Sequence, residues 1–200
     1  MKNKKLIIPI IIVSILLIGV IIFFSTKKEV KKSDGERFAE EYSTMSSDNR
    51  FTYRSIQEII NILKRGTGVV YLGFPECPWC SEYVIHLNEV ATASGITKIY
   101  YKNILNERKN NTEEYQELVS ILSDYLRYDE EGNKRIYVPA VIVVKEGKII
   151  GFDDETSYDT KGYSTPKEYW ENEDLKGLKS KLTDLFNQID SSSCTTECNR

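Results

Sequence analysis

Two cysteines three positions apart, Cys77 and Cys80, stand in the stretch GVVYLGFPECPWC, directly after a short apolar run. A cysteine thiolate attacks disulfides, and a second thiol one turn away can attack the resulting mixed disulfide and release the partner. The spacing suits this because residues three apart share one face of a helix. If a helix begins at the motif, Cys77 lies at its N-terminus, where free N–H groups and the helix dipole stabilise a thiolate. Cys77 is then the nucleophile and Cys80 the resolving thiol.

The flanking segments set the elements that must hold this pair. GVVYLGF is apolar, β-branched and aromatic, and is bounded by glycine and proline, the pattern of a strand buried on both faces. Before it, FTYRSIQEIINILKRG spaces Ile56, Ile59, Ile60 and Leu63 as an amphipathic helix ending at Gly66. After the cysteines, a helix closing at Gly95 leads to a strand in TKIYYKNI. A helix capped by Thr112 follows, with Tyr115, Leu118, Leu122 and Tyr125 along one face. YVPAVIVVKEGKIIGF supplies two strands around the turn Lys145 to Lys148, and TPKEYWENEDLKGLKSKLTDLFNQI supplies one last helix. Strands alternating with helices and ending in a hairpin predict an α/β layer with helices on both faces.

YLGFPECPWC, followed about 60 residues later by YVPAVIVVKEGKIIG, resembles the thioredoxin family over roughly residues 55 to 190. The GFPECPWC variant is similar, more narrowly, to thioredoxin-like proteins of Gram-positive bacteria, including bacteriocin-transport accessory proteins. The resemblance implies a thioredoxin-like fold, a central mixed sheet flanked by helices. It also implies a redox-active Cys77–Cys80 disulfide with no further cofactor. A cis peptide bond is expected at Val138–Pro139, with Pro139 facing the active site and Val138 offering its backbone to substrate. One departure stands on the strand: the family's buried acid, six residues before the first cysteine, is replaced here by Tyr71. Deprotonation of Cys80 must then rely on water or another group.

Glu76 is expected to be a solvated carboxylate. Trp79 has two readings, a substrate-docking surface or a ring packed over the motif. The only histidine, His86, lies nine residues of helix beyond Cys77, about 13 Å of rise and about 180° of rotation, so it faces away from the nucleophile. Cys194 and Cys198 leave three readings open: a structural disulfide closing the tail, a second dithiol exchanging with the first, or a metal site combining all four cysteines. No calcium-loop spacing occurs in DDETSYDTKGY, Asp153 to Tyr163, which reads as a solvated insertion, and RYDEEGNK reads as a turn.

Leu6 to Ser25 is an uncharged run of 20 residues, long enough to cross a bilayer core, and predicts one N-terminal transmembrane signal anchor. It is longer than a cleaved signal's apolar region and lacks an A-x-A-like site. The expected organisation is a cytoplasmic tail (1–5), the anchor (6–25), a charged stalk (26–40), the α/β domain (41–190) and a polar tail with a cysteine pair (191–200). Lysines flank the anchor on both sides, so charge does not orient it; the short N-terminal tail and the paired cysteines favour an extracytoplasmic domain. Without residues 1–25 the chain has 24 basic and 30 acidic side chains, which argues against nucleic acid. No phosphate loop or Ser-His-Asp set can be assembled. The expected activity is thiol–disulfide exchange on exported proteins, coupled to a membrane electron donor or acceptor. The alternative is a non-enzymatic accessory protein of a secretion or bacteriocin-export system, in which the Cys77–Cys80 disulfide only stabilises a binding surface.

Overall fold

The computed structural model describes residues 32–154 and 161–189. From Ser33 onward they form one compact unit. Among the described residues no helix is long and apolar enough to cross a membrane, and residues 6–25 lie outside them.

The chain runs α1 (Asp34–Glu41), β1 (Phe51–Tyr53), α2 (Ile56–Arg65), β2 (Gly68–Gly73), α3 (Pro78–Ala93), β3 (Ile99–Asn103), α4 (Leu105–Asn110) and α5 (Glu113–Ile121). A short hairpin of β4 (Arg127–Tyr128) and β5 (Lys134–Arg135) follows, then β6 (Ala140–Lys145), β7 (Lys148–Asp153), α6 (Pro166–Asn172) and α7 (Leu175–Phe186). Five strands form one mixed sheet in the order β1-β3-β2-β6-β7. The first three are parallel, and β6 and β7 are antiparallel additions beside β2. All six residues of β2 are buried, as a central strand covered on both faces requires.

Helix α2 starts at a capping box of Ser55 and Glu58 and buries Ile59, Ile60 and Leu63. It packs against α5 and against β3, β6 and β7. Helix α3 packs against α6 and α7. Its Tyr83 hydroxyl donates to Oδ2 of Asp153 at 2.5 Å, and Lys181 Nζ of α7 reaches Oδ1 at 2.6 Å. One buried carboxylate thus ties the end of β7 to two helices, with a donor on each oxygen.

Four expectations are corrected here. Residues 34–40, assigned by charge to a stalk, belong to α1, which has a Ser33–Glu36 capping box and buries Phe38 completely. Its single buried side chain leaves no periodic apolar pattern to read. Phe51 to Tyr53, read with the following helix, form the edge strand β1, specified by pairing with distant β3. The single last helix is two, because Asp174 caps a new start by accepting from Gly177 N at 2.7 Å. A Cβ at Gly177 would lie 2.2 Å from that carboxylate, so only glycine admits the cap unshifted. Asp153, read as part of a solvated loop, is 1% exposed and held as described above.

Candidate active site

The buried strand β2 delivers Phe74 to the surface end of the sheet, and Cys77 becomes the N-cap of α3 with Pro78 in the first turn. Proline is favoured there because its missing N–H is one the helix leaves unpaired. Cys77 N donates to Phe74 O at 3.2 Å, and Ser81 N donates to Cys77 O at 3.2 Å. The loop therefore turns directly into the helix with its sulfur at the N-terminal end.

Cys77 is part-buried and Cys80 fully buried, and both are free thiols. The Cys77 sulfur accepts from Cys80 N at 3.2 Å and faces the carbonyl of Val138 at 3.8 Å. The Val138–Pro139 peptide is cis, and both residues are buried. Cys77 is held below the ordinary thiol range, first by the Cys80 side chain, then by the N–H groups of Cys80 and Trp79 and by the Arg108 charge, with burial opposing. Cys80 is pushed well up, first by burial and then by its hydrogen bond to and the charge of Cys77. The favoured ionised form is a Cys77 thiolate beside a Cys80 thiol.

A sheet of aromatic hydroxyls underlies Cys80. Tyr53, Tyr101 and Tyr71 are in register across β1, β3 and β2. Tyr42 from the end of α1 adds its hydroxyl 3.4 Å from that of Tyr101. Tyr71 is fully buried, and its ring stacks at 5.8 Å on Tyr101 and 6.4 Å on Tyr83. Its hydroxyl faces Cys80 and Tyr42 but makes no hydrogen bond of ordinary geometry. The ring folds back along its own strand onto Gly73, where a Cβ would lie 2.5 Å from the Tyr71 oxygen. Burial raises Tyr71 well above the usual phenol value, so it is a neutral hydroxyl, able to donate to a Cys80 thiolate.

The remaining residues singled out by sequence fall as follows. Trp79 is part-buried, edge-on to Tyr169 of α6 at 5.4 Å, so one side of the ring is packed. Glu76 is exposed. His86 packs edge-on to Trp170 at 5.7 Å, and burial lowers its pKa, which makes it a packed neutral residue remote from the sulfurs. Cys194 and Cys198 lie outside the described residues.

Sequence reasoning missed Arg108, whose guanidinium lies 4.7 Å from the Phe74 ring centroid and acts on Cys77. It sits in the charged run NERKN, which has no pattern separating it from a solvated helix face. Tyr42 was missed with α1; its only local sign was the capping box before it. No protein-family model, no curated protein and no solved structure matches the chain.

Proposed function

We propose that this is a thiol–disulfide oxidoreductase with a thioredoxin-like domain, anchored to the cell membrane by residues 6–25 and acting on exported proteins outside the cytoplasm. The observation that carries the reading is Cys77 at the N-cap of α3, its sulfur between the N–H of Cys80 and the carbonyl of the cis Val138–Pro139 bond. The mixed five-stranded sheet flanked by helices is compatible with that family's architecture.

In the reducing direction the Cys77 thiolate attacks a substrate disulfide, forming a Cys77–substrate disulfide and releasing one substrate thiolate. Cys80 gives its proton to the first released substrate thiolate or to water and attacks the Cys77 sulfur, which forms the Cys77–Cys80 disulfide and releases the second substrate thiolate. Run in reverse, the same steps oxidise a substrate dithiol. A membrane electron donor or acceptor would restore the starting state.

Cys80→Ala tests this reading: substrates should accumulate as mixed disulfides on Cys77, visible on non-reducing gels and released by dithiothreitol. Absence of any adduct would sink it. The potential of the pair, by glutathione equilibration with and without Cys194 and Cys198, then gives direction: about −270 mV for a reductase, about −120 mV for an oxidant. One observation favours the accessory-protein alternative, the deep burial of Cys80, which pushes its thiol well up and so opposes loss of its proton. If partner binding survives Cys77→Ser and no exchange is measurable, that alternative holds.

A further inference from the structure

A cleft of about 620 Å³ opens between α4, α5 and the β4–β5 hairpin, lined by Arg108, Lys109, Tyr115, Asp129, Lys134 and Arg135 among others. Arg108 and Arg135 are both part-buried. Among the described residues neither forms an ion pair with a carboxylate. Each instead lies against an aromatic ring, Arg108 at 4.7 Å from the Phe74 centroid and Arg135 at 5.7 Å from that of Tyr137. The Nε of Arg135 is buried without a hydrogen-bond partner among the described residues. Burial, and then the charge of Arg135, hold Arg108 below its ordinary value.

Two guanidiniums kept partly out of water beside each other, with no carboxylate paired to either among the described residues, gain from an arriving anion. Their planar forks match carboxylates in two-point geometry. The acids nearby do not fill that role. Asp129 accepts from the N–H groups of Glu131 and Asn133, at 3.1 and 2.8 Å, within the hairpin turn, and Glu131 is exposed. Lys109 and Lys134 add positive charge at the same cleft. This concentration of cations stands out in a chain of formal charge −3.

Arg108 links the cleft to the cysteine pair. Arg108 acts on both Phe74 and Cys77. On the other wall, the Tyr115 hydroxyl accepts from Ile136 N at 3.2 Å, two residues before the Val138 carbonyl that faces Cys77.

We propose that Arg108 and Arg135 form a carboxylate clamp that selects substrates carrying acidic groups beside the cysteine undergoing exchange at Cys77. This rests on the oxidoreductase reading and adds substrate class to it. The carboxylates belong either to Asp and Glu flanking a polypeptide cysteine or to a small acidic thiol such as glutathione.

The test uses the full-length protein and matched peptide disulfides with acidic, neutral or basic flanks, alongside glutathione disulfide. Acidic peptides should exceed basic ones in kcat/KM by about tenfold or more, an advantage that shrinks as salt rises. Arg135→Gln should remove most of that preference, with the alkylation midpoint of Cys77 unmoved, and Arg135→Lys should restore part of it. Glutathione disulfide outpacing the acidic peptides would identify the small thiol as the carboxylate source, and the reverse order the polypeptide. Equal rates for all flanks would overturn the clamp while leaving the oxidoreductase reading intact. If no substrate turns over, binding of an acidic peptide with serine in place of cysteine decides: retention that Arg135→Gln abolishes keeps the clamp, and none removes it.

Discussion

Cys77 and Cys80 are one helical turn apart, yet their surroundings oppose each other. Around Cys77 the chain supplies a helix N-terminus, two N–H groups and the Arg108 guanidinium, all of which favour negative charge. Around Cys80 it supplies burial and neutral tyrosyl hydroxyls, with Tyr71 facing the sulfur. The same thiol group is thereby favoured as a thiolate in one place and held as a neutral thiol in the other. In the proposed exchange, asymmetry of this kind would favour a long-lived mixed disulfide, because attack by Cys77 would be easy and release would need a costly deprotonation of Cys80.

The strongest way to break the contrast is to remove its active half. Cys77→Ser should lower turnover of a peptide disulfide by more than about 10³-fold, since a neutral hydroxyl is a far weaker nucleophile than a thiolate. Turnover comparable to the unaltered protein would place the chemistry elsewhere. On the other side, Gly73→Ala drives a methyl into the Tyr71 hydroxyl, 2.5 Å away, and should destabilise the fold by about 1–3 kcal/mol in urea unfolding. An unchanged midpoint would mean that the tyrosine layer yields freely.

Tyr71→Phe sharpens the comparison without disturbing packing. Loss of the one hydroxyl facing Cys80 should slow release of a preformed Cys77 mixed disulfide by about tenfold, while stability rises by about 1 kcal/mol because a buried, unbonded polar atom has gone. Faster release would show that Tyr71 opposes the thiolate. The smallest effect concerns acidity. A lowered Cys77 pKa keeps the thiolate populated as pH falls below the value of about 8.5 typical of a free cysteine, so the iodoacetamide rate profile should have its midpoint below that pH. Arg108→Gln should move this midpoint upward, and a downward or absent shift would remove Arg108 from the electrostatics of the site.

The cysteine spacing, the preceding apolar run and the Val138–Pro139 dipeptide were legible because each is a local pattern of residue types. So were α2, β2 and the β6–β7 turn, whose periodicity or turn residues lie within a few positions of one another. The edge strand β1 was not, since three residues carry no period and are defined only by pairing with β3. Likewise Asp153 looks solvated among its acidic neighbours, and only the approach of Tyr83 and Lys181, 70 residues before and 28 after it, makes its burial tolerable.

The sequence by itself therefore determined which atoms can do chemistry and the helical turn that separates them. Tertiary structure decided their character, because a pKa depends on burial and charges brought from elsewhere in the chain: Cys80 is pushed up first by its burial, and Cys77 is drawn down in part by Arg108 from α4, while the Val138 carbonyl, 61 residues beyond Cys77, faces its sulfur. It also decided that two arginines far apart in sequence, each ordinary in its own charged run, face one cleft, neither in an ion pair among the described residues.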